Sequence, residues 1–302
     1  MGQITVVPVN GTTITPAFFS ANLSSKGVLL EYNGVQAVYE LPIKSSGKGV
    51  GSTAAVEGVL FVAHGCSHSA TDWWAASASC PQCIGLPVEV NIVNTAVQRY
   101  NLAVIAISSY DREGSRCWSG VDTTRVVSMI AHFYRQILGV NPSKGRRAED
   151  KGIVTLPPPL YLLGASSGGA FVGHLAQDPA LAPPATAVTV QISSVFVQTA
   201  SSSAVTMPPT TFVLMNKDEY TLAQVTRVIK GLSADQRPNF NIIRTQEKPI
   251  LDNFFHDHSN KVISKQDSAK IRQALLEGGY IDASSSLLLQ DPRSTDWRKV
   301  RV

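Results

Sequence analysis

The sequence has no stretch of about eighteen consecutive apolar residues, the length a membrane-crossing helix requires. Its first residues, Met1-Gly2-Gln3-Ile4-Thr5-Val6, lack the charged-then-apolar layout of a secretory leader, and Val6 stands where a myristoylation signal wants Ser or Thr. These absences predict a soluble, cytoplasmic chain with no membrane span. No internal repeat is present, which excludes solenoids and propellers. No low-complexity linker divides the 302 residues, so one domain spanning 1–302 is expected. Charge is scarce, at 16% of residues and a net +4. The clearest basic group, Lys144, Arg146 and Arg147, has no nucleic-acid motif beside it and reads as a solvated loop rather than a nucleic-acid partner site. Cysteine is limited to Cys66, Cys80, Cys83 and Cys117. Cys80-Pro81-Gln82-Cys83 is a CxxC without a second CxxC, and without the strand-then-helix setting of a redox pair. A disulfide or a packed reduced pair is expected there, and the sequence asks for no metal and no cofactor.

What is present is an alternation of apolar runs and amphipathic stretches. Gly27–Tyr32, Asn33-Gly34 and Val35–Pro42 read as a β-hairpin, since Asn-Gly suits a type I′ turn. Gly58–Ala63 and Leu102–Ile107 are continuous apolar runs, as strands buried on both faces should be. Leu160–Leu163, Thr186–Ile192, Thr211–Met215 and Phe240–Arg244 continue the series. Helices are predicted over Val88–Tyr100, Asp122–Leu138, Ala170–Leu175, Leu222–Leu232 and Asp267–Leu276, with Asp122 as a cap. Polar loops fill Ser45–Ser52 and Asn141–Pro159, and a polar tail with Asp291-Pro292-Arg293 follows. Such alternation predicts an α/β fold: a mostly parallel twisted sheet covered on both faces. Ligands in such sheets bind beyond the carboxyl ends of the strands.

Leu160–Gly169 carries the chemistry. An apolar run ends in Gly164-Ala165-Ser166-Ser167-Gly168 and opens directly into Ala170–Leu175. A serine at a sharp strand-to-helix turn needs tiny neighbours, because the two backbones approach closely there. Ser166 is preferred to Ser167 because Gly164 then closes the strand and Gly168-Gly169 open the helix.

With Ala63-His64-Gly65 at an earlier strand end and Val213–Asp218 at a later one, this turn resembles the α/β-hydrolase superfamily over roughly Val28 to Leu276. The stretch from His64 to Trp74 also resembles a group of hydrolase-like plant and algal proteins. The resemblance implies an α/β-hydrolase fold with little or no lid, because the segment between the strands at Thr186 and Thr211 is short. It implies a serine hydrolase that cleaves carboxylic esters of small molecules through an acyl-enzyme. The roles follow in chain order: Ser166 as nucleophile, Asp218 (or its neighbour Glu219) as acid, and His256 (or His258) as base. Oxyanion donors are expected from Ser167 and from Cys66 or Ser67. Trp73, Trp74 and Tyr220 are candidates for the substrate pocket, with core packing as the alternative for the two tryptophans. His64 and His68 read as structural or wall residues, and His132 and His174 as helical. In one respect the chain departs from the family: Arg244–Ile250, where the base is usually found, contains no histidine. That departure carries the alternative of a non-catalytic binding protein on the same scaffold. An acyltransferase or thioesterase would use the same acyl-enzyme.

Overall fold

A computed structural model describes residues 26–42, 56–143, 146–147, 154–191, 207–231, 239–259, 261–291, 295–296 and 300. The N-terminal residues, the Ser45–Ser52 loop, Lys144, Ile192, Leu232, the Pro292-Arg293 tail and most of the segment expected to lack a lid lie outside them.

The sheet begins with the hairpin β1 (Val28–Tyr32) and β2 (Val35–Glu40), paired antiparallel with Tyr32 opposite Val35. Asn33 and Gly34 both have positive φ, +50° and +68°, as a type I′ turn demands of both central residues. β3 (Gly58–Ala63), β4 (Leu102–Ile107), β5 (Leu160–Ala165), β6 (Ala185–Gln191), β7 (Thr210–Met215) and β8 (Phe240–Thr245) complete an eight-stranded sheet. Its order is β1-β2-β4-β3-β5-β6-β7-β8. β2 pairs antiparallel with both β1 and β4, and every other pairing is parallel. This order, with only the second strand reversed, is the α/β-hydrolase sheet. A short antiparallel pair, Arg146–Arg147 with Val154–Thr155, stands apart within the expected polar connection.

Alternation along the strands divides the core in two. Val59, Phe61 and Ala63 of β3 and Ala103, Ile105 and Ile107 of β4 face one side. There they meet α2 (Asp122–His132), α3 (Ser167–Leu175) and α4 (Glu219–Gly231) through Met129, Phe171 and Val225. Leu60, Val62, Val104 and Ala106 face the other side, where α1 (Pro87–Asn94) and the π-helical turn that extends it, Thr95–Arg99, bury Val93, Ala96 and Val97. The short helix α5 (Phe254–His258) and α6 (Lys265–Glu277) close a third, smaller cluster around Ile250, Leu275 and Ile281. No helix among the described residues is long and apolar enough to cross a membrane.

Three helix starts differ from expectation, each for a side-chain reason. Asp122 is the first helical residue rather than the cap. Its buried carboxylate turns back to accept the N–H groups of Tyr110 (2.6 Å) and Ser119 (2.9 Å). α4 starts three residues early because Asp218 accepts the Thr221 N–H at 3.0 Å and acts as its cap. α6 starts early because the Ser264 hydroxyl accepts from Asp267 N–H.

Candidate active site

Ser166 sits between β5 and α3 with φ +53° and ψ −122°, a region costly for any residue with a Cβ. The surrounding glycines explain why the chain tolerates it. A methyl group on Gly164 would overlap the Gly168 carbonyl, and one on Gly168 would overlap the carbonyls of Ala63 and His64. Neither obstacle is a flexible side chain, so the backbone itself would have to move. The expected strand–serine–helix turn is therefore present, packed against the end of β3.

Ser167 N–H opens α3, where the first N–H groups of a helix have no partner within the helix. On the other side, an ideal Cβ on Gly65 would lie 3.4 Å from Ser166 Cβ, so the loop after β3 passes close to the serine. Of its two expected donors, Ser67 N–H is already committed to the Ser115 carbonyl at 2.7 Å. Cys66 N–H has no hydrogen-bond partner among the described residues. The loop is tied down by a disulfide between Cys66 and Cys117, and Cys80 pairs with Cys83 in a second one. No cluster of His, Cys, Asp or Glu suited to a metal ion occurs among the described residues.

His64 is structural. It is 2% exposed. Its Nε2 accepts the Ser109 N–H at 3.1 Å, which leaves Nδ1 to donate to the Gly65 carbonyl at 2.7 Å. Burial pushes its pKa down to about 4, with the Gly65 bond and Asp72 opposing and Arg112 and His68 adding to the shift. The His64 carbonyl accepts from Trp118 Nε1 at 2.7 Å, and Trp118 stacks on Phe171 of α3 with ring centroids 4.3 Å apart. Trp118, which the sequence reading passed over, thus clamps the ends of β3 and α3 together beneath Ser166.

Asp218 follows the carboxyl end of β7, two strands from β5, and is 1% exposed. Glu219 instead points outward and pairs with Arg244 at 2.8 Å. His256 lies on α5 and its Nδ1 donates to the Ile263 carbonyl at 2.8 Å. That is the nitrogen an orienting carboxylate would take. His258 Nδ1 bonds the Phe254 carbonyl at 2.7 Å, with its ring stacked on Phe254. Asp218 thus stands beyond the carboxyl end of a strand, while the Nδ1 atoms of His256 and His258 each bond a carbonyl of the C-terminal segment.

Trp73 and Trp74 lie in the core between β2, β3, β4 and α1. Trp74 is fully buried and donates from Nε1 to Glu40 at 2.9 Å. Core packing is thus the role the structure gives both indoles. Tyr220 is 75% exposed on the first turn of α4.

The sequence reading also passed over Asp72. The 3₁₀ turn Ala70–Trp73 is capped by Ser69, whose N–H and Oγ donate to the Asp72 carboxylate at 3.3 and 2.9 Å. The same carboxylate accepts from His68 Nδ1 at 2.7 Å. The signal was available: Ser-x-x-Asp is a capping-box spacing, and it sets His68 and Asp72 one turn apart.

No protein-family model matches the sequence, and no curated protein matches it. Solved structures are similar only at low identity and with TM-scores below 0.5. A thermostable esterase is 13% identical with a TM-score of 0.43, covering 72% of this chain, which spans only 54% of that protein. An S-formylglutathione hydrolase from Staphylococcus aureus is 13% identical with a TM-score of 0.48, covering 72% of this chain and 90% of its own. A fluorophosphonate-binding serine hydrolase from Staphylococcus aureus is 14% identical with a TM-score of 0.45, covering 72% and 89%. Identities and scores this low name no substrate, and the fold assignment rests on the strand order.

Proposed function

We propose that this chain, an α/β-hydrolase by fold, is a serine hydrolase that cleaves carboxylic esters through an acyl-enzyme on Ser166. The observation that carries the reading is the left-handed Ser166 at a turn whose flanking glycines admit no side chain. Strain of this kind is kept where it presents a nucleophile. Ser166 Oγ attacks the ester carbonyl, and the oxyanion that forms is held by Ser167 N–H and Cys66 N–H. The alcohol leaves, and water then releases the acid from Ser166.

A serine hydroxyl needs an imidazole to take its proton. Chain order supplies His256, oriented by Asp218, and the position of Asp218 beyond β7 favours that assignment. For that role His256 Nδ1 would have to give up the Ile263 carbonyl, its partner in this structure. An acyltransferase would differ only in the acceptor that takes the acyl group from Ser166.

The test is labelling of folded protein with a fluorophosphonate probe, with peptide mapping, beside a panel of p-nitrophenyl esters. Label on the Ser166 peptide, with ester turnover that Ser166→Ala abolishes, is the expected result. Folded protein that neither takes label at Ser166 nor turns over any ester would make the scaffold a binding module.

A further inference from the structure

We infer that the proton acceptor for Ser166 is His68, positioned by Asp72, so that the base comes from the loop after β3 and precedes the nucleophile in the chain. The inference rests on the serine-hydrolase reading of Ser166 and puts His68, in place of the His256 that chain order offers, as the group that completes it.

Proximity is fixed by one shared point. The ideal Cβ position of Gly65 lies 3.4 Å from Ser166 Cβ and 3.9 Å from His68 Cδ2. Ser166 Cβ and His68 Cδ2 are therefore separated by no more than the sum of the two distances, 7.3 Å. Cδ2 is bonded directly to Nε2, so the unengaged ring nitrogen adjoins the ring edge that approaches Gly65 and, through it, Ser166. Catalytic hydrogen bonds often close only when substrate is bound.

The tautomer is fixed as well. The Asp72 carboxylate can only accept, so His68 Nδ1 carries the proton of their 2.7 Å bond. That leaves the lone pair on Nε2, the atom that must receive the Ser166 proton. Asp72 is itself buried and held by two donors from Ser69, so the carboxylate cannot swing away. His68 is 45% exposed at its side chain, open to an arriving substrate. His64 cannot compete, because both of its ring nitrogens are engaged. The other charged groups coupled to this corner are Arg112, which senses Asp72, and His64.

The proton balance closes without any cofactor. As the bond from Ser166 Oγ to the carbonyl carbon forms, the hydroxyl proton passes to His68 Nε2. When the tetrahedral adduct collapses, the departing alkoxide takes that proton and leaves as the alcohol. Water then attacks the acyl carbon, gives a proton to Nε2, and the returning proton restores the Ser166 hydroxyl.

The experiment measures the fluorophosphonate labelling rate of Ser166 in His68→Ala, His68→Gln, Asp72→Asn and His256→Ala proteins shown to be folded by circular dichroism. His68→Ala and His68→Gln should slow labelling by about 10²–10⁴-fold, the usual worth of a general base. Added imidazole should restore part of the rate in His68→Ala but not in Asp72→Asn, where a ring in the wrong tautomer still fills the place. His68 variants that label at the wild-type rate, with His256→Ala slowed instead, would overturn the inference and leave the serine hydrolase standing. Wild-type protein that takes no label would overturn the serine-hydrolase reading itself.

Discussion

Breaking the disulfide from Cys66 to Cys117 should cost this protein far more stability than breaking the one from Cys80 to Cys83. The first closes a loop with a sequence separation of 51, the second only 3. In the chain-entropy description the cross-link is worth about 4 kcal/mol for the long loop and about 1.5 kcal/mol for the short one. Cys117 is half-buried, so Cys117→Ala leaves little cavity. Cys83 is buried among Trp73, Trp74 and Val93, so Cys83→Ala adds on the order of 1 kcal/mol for lost packing. The totals stay apart, at about 4 against about 2.5 kcal/mol. A chain of this size loses roughly 2 °C of melting temperature per kcal/mol, which predicts falls of about 8 °C and about 5 °C. Reduction of the wild type should act in the same direction. The assay is thermal unfolding by circular dichroism at fixed scan rate. A Cys83→Ala fall equal to or larger than that of Cys117→Ala would refute the loop-length argument. The disulfide also carries a functional readout: Cys117→Ala keeps Cys66 in place but frees its loop, so the labelling rate of Ser166 should drop more than it does in Cys83→Ala.

Further expectations concern single positions. Ser166→Gly should raise the melting temperature while abolishing labelling, because glycine adopts φ +53° without strain worth about 1 kcal/mol; an unchanged or lower melting temperature would contradict the strain. Gly168→Ala should prevent labelling by displacing the end of β3, whereas Gly34→Ala, with open space around it but φ +68°, should cost only about 1 kcal/mol and leave labelling intact. His64, held neutral by burial with a pKa near 4 against about 6.5 in the unfolded chain, makes the unfolded state bind more protons between those values. Its contribution is fully present above pH 6.5 and is lost as pH falls toward 4, by about 3 kcal/mol; denaturant titrations of wild type and His64→Gln between pH 4 and 7 should diverge in slope. Trp118→Phe keeps the stack on Phe171 but strips the donor from a buried carbonyl, at about 1–3 kcal/mol in chemical denaturation.

Much of the fold was legible because burial on both faces writes an unmistakable pattern. β3 and β4 are uninterrupted apolar runs, and the Asn33-Gly34 turn states its own type. The strand–serine–helix turn was legible for a steric reason, since only glycine fits at positions 164 and 168, where β3, β5 and α3 converge. What was harder to read depends on side chains that fold back locally. Asp122 looks like a helix cap in sequence but serves two N–H groups of the preceding loop. Trp74 looks like a pocket wall because indoles in long loops so often are, yet its Nε1 finds Glu40 across the sheet, a partner 34 residues away. His68 reads in sequence as a structural or wall residue because the resemblance places the base after the nucleophile in chain order, whereas His68 and its partner Asp72 stand before it. α5 was invisible because five residues carry too little periodicity to mark a helix.

The clamp made by Trp118 has an optical consequence. Its indole is buried, stacked on Phe171 and 5.0 Å from the His64 ring, so it is a built-in fluorophore at the junction between the start of α3 and the loop after β3. An imidazolium that close quenches indole emission, whereas the neutral ring does not. The protein therefore carries its own reporter of events beneath Ser166. Emission that dims as His64 takes up a proton in acid, and that no longer does so in Trp118→Phe, would let acylation, loop release and protonation be followed in real time without any attached dye.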